Sequence, residues 1–307
     1  MTYSELYSAY TVFRRNKHDS RELVNFEYDL TQNLLALLVD INAHTYRHGP
    51  YRILAISEKK RRNLAIAPIR DRIVHRLIYD RLVQVFDKSF DPDVFSARPG
   101  KGLHKALART QTLLKKHPHS SIWRLDIEKF YEHVDHAIMK TILTARSSPL
   151  SPLCHTVIDS FPVGIPIGNL TSQVFSNIYL NEFDRFVRHG LTPQSYIRYG
   201  DDALLFFKNR HSAFASQKQG SAFLKAQLNL TLNPKNNLIV SANRPIHFLG
   251  HAITRNYIFT DKHTTRSVLG RVDPTNVASY KSLNLVKASK STLDHLLLSQ
   301  ISDLLKK

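Results

Sequence analysis

Cysteine is almost missing from this 307-residue chain, and Cys154 is its only representative. No internal disulfide and no cysteine zinc site can be built, so the sequence predicts a protein of the reducing cytoplasm. Long apolar runs are missing too. No stretch approaches the ~20 residues that span a bilayer, and the opening Met1-Thr-Tyr-Ser-Glu5 lacks the apolar core of a signal segment. What remains of a membrane reading is surface attraction, and no membrane partner is expected. Repeats and low-complexity segments are absent. The sixteen histidines show no metal-ligand spacing, and His117 and His119 flank Pro118 in what reads as a solvated turn. Acidic residues are the last scarcity: 25 Asp and Glu face 43 Lys and Arg, for a net charge of +18 and a pI near 10.0. Such an excess favours a polyanionic partner. Its spread along the chain predicts a folded basic groove rather than a disordered arm.

Hydrophobic periodicity supplies a mixed pattern of short strands and long helices. Helices are expected over 20–41, 71–86, 135–145 (capped by Asp135), 169–188 (capped by Asn169), 212–228 and 291–305. Residues 51–69 read as a β-hairpin whose apolar arms flank Lys59-Lys60-Arg61-Arg62. Residues 120–127 read as a strand, 196–207 as two strands joined by Gly200-Asp-Asp, and 238–240 and 246–253 as further strands. Pro149, Pro152 and Pro162 break the intervening region.

Two carboxylate groups carry chemical interest. Asp201 and Asp202 sit in a Gly-Asp-Asp turn between strongly apolar strands, Tyr196–Tyr199 and Ala203–Phe207. Gly and Asp are ordinary hairpin residues. Adjacent carboxylates in so apolar a setting nevertheless suffer both repulsion and desolvation, and a divalent cation would offset both. Asp126 ends another apolar strand and precedes Phe130-Tyr131; it could simply cap the following turn. Magnesium takes oxygen ligands, typically one or two carboxylates plus substrate phosphates. A pair of such ions roughly 3.5–4 Å apart clamps both oxygens of an in-line phosphoryl transfer. A strand-end Asp beside an Asp-Asp hairpin could supply the ligands.

Four segments resemble reverse transcriptases in order and spacing: Leu125-Asp-Ile-Glu-Lys-Phe-Tyr131-Glu-His-Val-Asp-His136, Gly164-Ile-Pro-Ile-Gly-Asn-Leu-Thr-Ser-Gln173, Tyr199-Gly-Asp-Asp202 and Phe248-Leu-Gly250. Upstream, Ile69-Arg-Asp-Arg-Ile-Val-His75 and Arg98-Pro-Gly-Lys-Gly102 resemble finger motifs of bacterial members. Each motif alone is weak; six in the right order are not. The stretch Ile167-Gly-Asn-Leu-Thr-Ser-Gln173 is most similar to enzymes of diversity-generating retroelements, relatives of group II intron and retron reverse transcriptases. Most others carry Gln where Ile167 stands and Pro where Gln173 stands.

The resemblance implies an α+β right-hand polymerase fold of fingers, palm and thumb, with an antiparallel palm sheet backed by helices. It places the N-terminal helical region and fingers in 1–119, the palm in 120–253 with a fingers insertion near 140–170, and a short thumb in 254–307. It implies two Mg2+ ions, with Mn2+ as a substitute, held at Asp126, Ile127, Asp201 and Asp202. Lys60, Arg62 and Arg70 match residues that grip the incoming triphosphate. Tyr131 matches the aromatic side chain that blocks a ribose 2′-hydroxyl. Ile167, Gly168, Ser172 and Gln173 match the nucleotide and template contact. Lys235 matches a lysine that protonates the leaving pyrophosphate, and Phe248, Leu249 and Gly250 match the primer grip. A solvated lysine, a core tyrosine and a buried strand are the ordinary readings of Lys235, Tyr131 and Phe248.

The implied activity is copying of an RNA template into cDNA from a DNA or RNA primer and dNTPs, with errors concentrated at template adenines. A small basic accessory oligomer is an implied partner. Three alternatives stand beside this reading. One is a phage-defence or retron-like reverse transcriptase. Another is an RNA-dependent RNA polymerase, because Tyr-Gly-Asp-Asp is also the usual turn of viral RNA polymerases. The last is an inactive RNA-binding palm. An aromatic Tyr131 argues for deoxynucleotides, and the intact carboxylate set argues for an enzyme.

Overall fold

The computed structural model describes residues 1–57, 61–147 and 150–260, without the side chains of Ser57, Arg61 and Arg62. Helices α1 (Tyr3–Arg14), α2 (Arg21–Tyr28) and α3 (Leu30–Asn42) lead into strands β1 (Arg52–Ser57) and β2 (Arg61–Ile66) and helix α4 (Ile69–Phe86). Helix α5 (Leu103–Lys116) precedes β3 (Ser121–Asp126). Helices α6 (Phe130–His133), α7 (His136–Arg146), α8 (Ser151–Asp159) and α9 (Leu170–Phe186) follow. Strands β4 (Ser195–Tyr199) and β5 (Asp202–Phe207), helix α10 (Arg210–Leu228) and strands β6 (Leu238–Ser241), β7 (Ile246–Phe248), β8 (His251–Ile253) and β9 (Ile258–Thr260) complete the order. No helix among the described residues is long and apolar enough to cross a membrane.

The chain forms two compact units. The first comprises Met1–Asp91, Glu128–Phe186 and Ser221–Thr231. Here α1 starts with a capping box: Thr2 and Glu5 satisfy each other's backbone N–H groups. Its buried Leu6, Ala9, Tyr10 and Phe13 recur at helical spacing and pack toward α4. Tyr10 Oη and Arg14 Nε both donate to Glu27 Oε1, at 2.5 and 2.6 Å, which ties α1 to α2. The single helix expected over 20–41 is two helices, broken at Asp29, where Asn33 Nδ2 donates to the Phe26 carbonyl. Both halves keep the apolar period, so periodicity alone did not expose the break. The proline-interrupted region holds α8, because Pro152 lies in the first helical turn, where its missing N–H removes no helical bond.

The second unit comprises Pro92–Ile127, Val187–Gly220 and Leu232 onward. Its main sheet is antiparallel, with strand order β4-β5-β3-β6. Leu107 and Leu114 of α5 pack with Ile122, Leu204, Phe206 and Phe248 in a buried core. Trp123 is fully buried against Gly220; a methyl group at 220 would lie 2.4 Å from the indole. Residues 246–253 form a hairpin, not one strand, since Leu249 and Gly250 adopt φ values of 53° and 76° between paired Phe248 and His251. Positive φ at both turn residues matches the twist of a two-residue hairpin. The helix expected over 291–305 and the segment 261–307 lie outside the described residues.

Candidate active site

Register decides the site. In the second unit, Asp126 at the end of β3 pairs directly with Asp202 at the start of β5, and Tyr199 of β4 pairs with Asp202 on the other side. Directly opposed residues point to the same face of a sheet. Asp201 occupies the β4–β5 turn, where Gly200 has φ 63°. Carboxylate oxygens of Asp126, Asp201 and Asp202 lie within 4.8 Å of one another, the one such cluster among the described residues. All three side chains are partly buried. Burial first, then the neighbouring charges of Asp126 and Asp201, pushes the Asp202 carboxyl up to about 7; Arg124 opposes the shift. Three hard oxygen donors that repel one another fit one or more divalent cations of the magnesium type.

The sequence reading missed three supports of this cluster. Asn233 and Asn236 each donate a side-chain N–H to the same oxygen of Asp126, Oδ2, at 2.9 Å. The Asn233 backbone N–H also donates to the Asp126 carbonyl at 2.8 Å. Arg124 Nη2 donates to Asn236 Oδ1 at 3.4 Å, which fixes that amide's orientation. The two asparagines lie in the Leu232-Asn-Pro-Lys-Asn turn, and nothing in that turn's local pattern points to a residue more than a hundred positions away. The third support is Arg198. It is 1% exposed inside β4, and its Nη1 donates to the Gly200 carbonyl at 2.9 Å, bracing the turn from below. Here a signal existed: an arginine inside the apolar run Tyr196–Phe207.

Lys235 is exposed, and its backbone N–H donates to Asn233 Oδ1 at 3.1 Å. Ile127 is buried and bridges to Leu232. Phe248 is buried, while Leu249 and Gly250 form the turn of the β7–β8 hairpin.

The first unit gathers the other expected residues. Phe130 is buried and meets the Tyr131 and Tyr179 rings edge-on. The Tyr131 backbone is held by the loop before α9: Ile165 N–H donates to its carbonyl at 2.8 Å. Gly164, at φ 67°, lies so close that an added Cβ would sit 2.1 Å from that carbonyl oxygen. Ile167 and Asn169 are stitched to β2. Ala65 N–H donates to the Ile167 carbonyl at 3.0 Å, and Asn169 Nδ2 donates to the Ala65 carbonyl at 3.3 Å. Gly168 between them has φ 106°, a conformation that favours glycine. Ser172 is buried with its Oγ unpartnered among the described residues, and Gln173 is exposed. The β1–β2 hairpin forms as expected, from Arg52 paired with Ile66 to Ser57 paired with Arg61. Lys60 and the Arg62 side chain lie outside the described residues. Arg70 donates to Asp40 Oδ2 at 2.5 Å and to the Arg47 carbonyl at 3.2 Å, and lies over the Tyr46 ring. Gripping a triphosphate would require it to leave Asp40.

A buried polar chain sets the base of this unit. Tyr46 Oη and the Gly49 N–H donate to Asp71, at 2.7 and 2.9 Å. His48 Nδ1 lies 2.6 Å from the Gly49 carbonyl and so carries the proton there; its Nε2 accepts from His75 Nε2–H at 3.0 Å. His75 Nδ1 is then the acceptor for Thr171 Oγ1 of α9, at 3.4 Å. The network is satisfied with both imidazoles neutral. Burial, then the proximity of His48 and Arg72, lowers the His75 pKa to about 3.

An antiparallel sheet that brings three carboxylates together at a strand end and a hairpin turn offers the ligands of a two-metal phosphoryl-transfer site, the class that includes phosphatases, nucleases and nucleotide polymerases. The model of the family "Reverse transcriptase (RNA-dependent DNA polymerase)" matches residues 53–253, more than half of the chain, and the chain belongs to that family. Among curated proteins it is 24% identical over 246 residues to Protein YkfC of Escherichia coli, covering 65% of each chain. It is 22% identical over 173 residues to the group II intron-encoded protein LtrA of Lactococcus lactis, covering 51% of this chain and 28% of that one. The chain thus spans less than two thirds of the length of these relatives. Among solved structures, telomerase from Candida albicans in complex with a TWJ fragment of telomeric RNA aligns at TM-score 0.58 and 11% identity, covering 91% of this chain and 61% of that one. Apo telomerase from Candida tropicalis aligns at TM-score 0.55 and 10% identity, covering 71% and 50%. These likenesses show the fold, the right-hand polymerase fold expected from the sequence.

Proposed function

We propose that this chain is an RNA-directed DNA polymerase that extends a DNA or RNA primer on an RNA template. The carrying observation is the convergence of Asp126, Asp201 and Asp202 within 4.8 Å on the antiparallel sheet of a reverse transcriptase family member. In this reading Asp126, Asp201, Asp202 and the backbone at Ile127 hold two Mg2+ ions. When bound, such ions neutralise triphosphate charge and lower the pKa of the primer 3′-hydroxyl. The chain's own residues do the positioning. Asn233 and Asn236 aim Asp126, and Arg198 braces the turn that presents Asp201. Tyr131, its backbone locked by Gly164 and Ile165, excludes a ribose 2′-hydroxyl. Ile167, Gly168, Ser172 and Gln173 form the nucleotide and template contact. Phe248-Leu-Gly250 holds the primer end, and Lys235 donates a proton to pyrophosphate. Lys60, Arg62 and Arg70 grip the triphosphate, with fingers in 1–119, palm in 120–253 and thumb in 254–307.

The finer reading is an error-prone enzyme of a diversity-generating retroelement, working with a small basic accessory oligomer. Ile167 and Gln173 support it, since an apolar Ile167 cannot hydrogen-bond the incoming nucleotide. The buried Cys154, whose thiol burial pushes up to about 12, fits a reducing cytoplasm. Magnesium-dependent dNTP incorporation on an RNA template tests the activity. Asp201→Ala should abolish extension and leave RNA binding intact. Efficient extension with rNTPs alone would make the chain an RNA polymerase. Two near-identical repeats in the flanking DNA, differing at adenines of one copy, would establish the retroelement role.

A further inference from the structure

His136 ends the segment Leu125–His136 that resembles reverse transcriptases, but no site role falls to it. It is the first residue of α7, and the start of that helix is pinned within the first unit. Asp135 caps the helix, its Oδ1 accepting from the N–H groups of Ala137 and Ile138 at 2.9 and 3.1 Å. The Asp135 N–H donates to Tyr179 Oη of α9 at 3.2 Å, and Tyr179 Oη donates to the Leu228 carbonyl at 2.7 Å. His136 therefore stands on a fixed base. Its Nε2 lies 2.6 Å from the Gly164 carbonyl. A carbonyl only accepts, so Nε2 carries the proton and donates. Nδ1 lies 3.9 Å from Asp159 Oδ1, a carboxylate that also pairs with Lys140. The bond from Nε2–H persists whether or not Nδ1 is protonated.

Gly164 belongs to the irregular segment between α8 and α9. Packing does little to hold the start of that segment. Pro162 and Val163 are exposed, and both line a cavity of about 520 Å³ that also reaches His133 and Asp135. Polar anchors hold it instead, and two of them grip a single peptide group. The Gly164 carbonyl accepts from His136, and the Ile165 N–H of the same planar unit donates to the Tyr131 carbonyl at 2.8 Å. Because the unit is rigid, His136 fixes the direction in which that N–H points. The Gly164 backbone is also pressed onto the Tyr131–Glu132 peptide. An added Cβ would lie 2.1 Å from the Tyr131 carbonyl oxygen and 2.8 Å from that of Glu132. Without His136 the Gly164 carbonyl would lose its partner and the peptide group could rotate toward another.

We propose that His136 is a positioning residue for sugar selection: through the Gly164–Ile165 peptide it fixes the backbone of Tyr131, and so the place of the Tyr131 ring. The proposal rests on the reading of Tyr131 as the side chain that excludes a ribose 2′-hydroxyl. The ring and the backbone of Tyr131 share one support. The ring meets Phe130 edge-on at 5.5 Å, and Phe130 meets Tyr179 at 6.4 Å, the same tyrosine that pins the start of α7. Exclusion of a single oxygen atom is sensitive to ring placement, since a misplacement of about 1 Å can cost a site on the order of 100-fold. The hydrogen bond from His136 favours the held loop over a released one by roughly fivefold, which sets the scale of the effect.

The test measures kcat/KM for a dNTP and for the matching rNTP in single-nucleotide extension by the full chain. The variants are His136→Ala, His136→Gln, Tyr131→Ala and the double variant Tyr131→Ala/His136→Ala. Thermal melting checks each fold. His136→Leu, which fills the space without a donor, replaces alanine if that variant melts low. His136→Ala should raise the rNTP-to-dNTP ratio about fivefold, and the gain should lie in the rNTP constant. His136→Gln, which keeps an amide N–H within reach of Gly164, should restore the wild-type ratio. With Tyr131→Ala already present, removing His136 should add nothing, because both act through one ring. Four results would overturn the proposal: an unchanged ratio in His136→Ala, an equal loss on both nucleotides, no rescue by glutamine, or the same increment with and without Tyr131. If Tyr131→Ala itself leaves the ratio unchanged, the reading of Tyr131 fails and the role of His136 falls with it. Absence of extension by the wild type would sink the polymerase reading, and this role too.

Discussion

Removing the side-chain amide of Asn236 should weaken metal binding at the aspartates while leaving the sheet folded. Asp126 Oδ2 accepts two hydrogen bonds of 2.9 Å, from Asn233 and Asn236. Together they fix the carboxylate's rotation, so that its other oxygen is free for a cation. A hydrogen bond to a charged group contributes about 1.5–3 kcal/mol. Asn233 remains in Asn236→Ala, so the lower end applies, about 1.5 kcal/mol, or roughly tenfold in affinity. That matches the ~10–100-fold losses typical when a group orienting a metal ligand is removed. The Asn233→Ala/Asn236→Ala pair should lose more than either single change, with coupling because both donors share one oxygen. The assay is primer extension across a Mg2+ titration, with thermal melting as the control. Asn236→Ala should move the half-saturating Mg2+ concentration up about tenfold with little change in melting temperature. If neither the single nor the double variant moves it, Asp126 does not depend on these amides and the positioning argument fails.

Gly164→Ala places a methyl group 2.1 Å from the Tyr131 carbonyl oxygen and forces alanine to φ 67°. The conformation alone costs about 1–2 kcal/mol, and the displaced Tyr131 backbone should relax discrimination against rNTPs, read as the ratio of rNTP to dNTP incorporation. His75 should make the first unit acid-sensitive. Its folded pKa of about 3 lies below the ordinary unfolded value of 6.5, so below pH 6.5 only the unfolded state takes up the proton. Stability from this group is intact above pH 6.5. It falls by roughly 1 kcal/mol at pH 5.5 and roughly 3 kcal/mol at pH 4.5. Urea unfolding of wild type and His75→Asn from pH 7.5 to 4.5 should show that difference in slope; parallel curves would contradict it. Ile167→Gln should lower the misincorporation rate in a matched fidelity assay, and equal error rates would remove Ile167 as the source of weak base selection.

Local pattern was enough for much of this protein. The alternation around Gly200-Asp-Asp gave a hairpin, and the apolar run ending at Asp126 gave a strand, because side-chain period and turn chemistry are properties of neighbouring residues. The order of six short motifs was enough to reach the family. Local pattern went wrong where two states share one period: 20–41 kept its helical spacing through the break at Asp29. Period alone also read 246–253 as one strand, although the resemblance placed the primer-grip hairpin at Phe248-Leu-Gly250, where the chain turns between paired β7 and β8.

The tertiary structure alone decided what each carboxylate faces. A two-residue shift in the β3–β5 register would keep every apolar side chain on its face and still separate Asp126 from Asp202. The pairing is set by strand hydrogen bonds that leave no periodic trace in sequence. The donors on Asp126 come from Asn233 and Asn236, and the loop of Ile167 hangs on Ala65. Buried His75 is hydrogen-bonded to His48 and Thr171. Each of these interactions joins residues far apart in the chain through a single polar group, and one polar group among ordinary Asn, His and Thr residues carries no local signature. Composition therefore announced a strongly basic protein, whereas the geometry that could hold a metal and aim a carboxylate is a property of long-range hydrogen bonding.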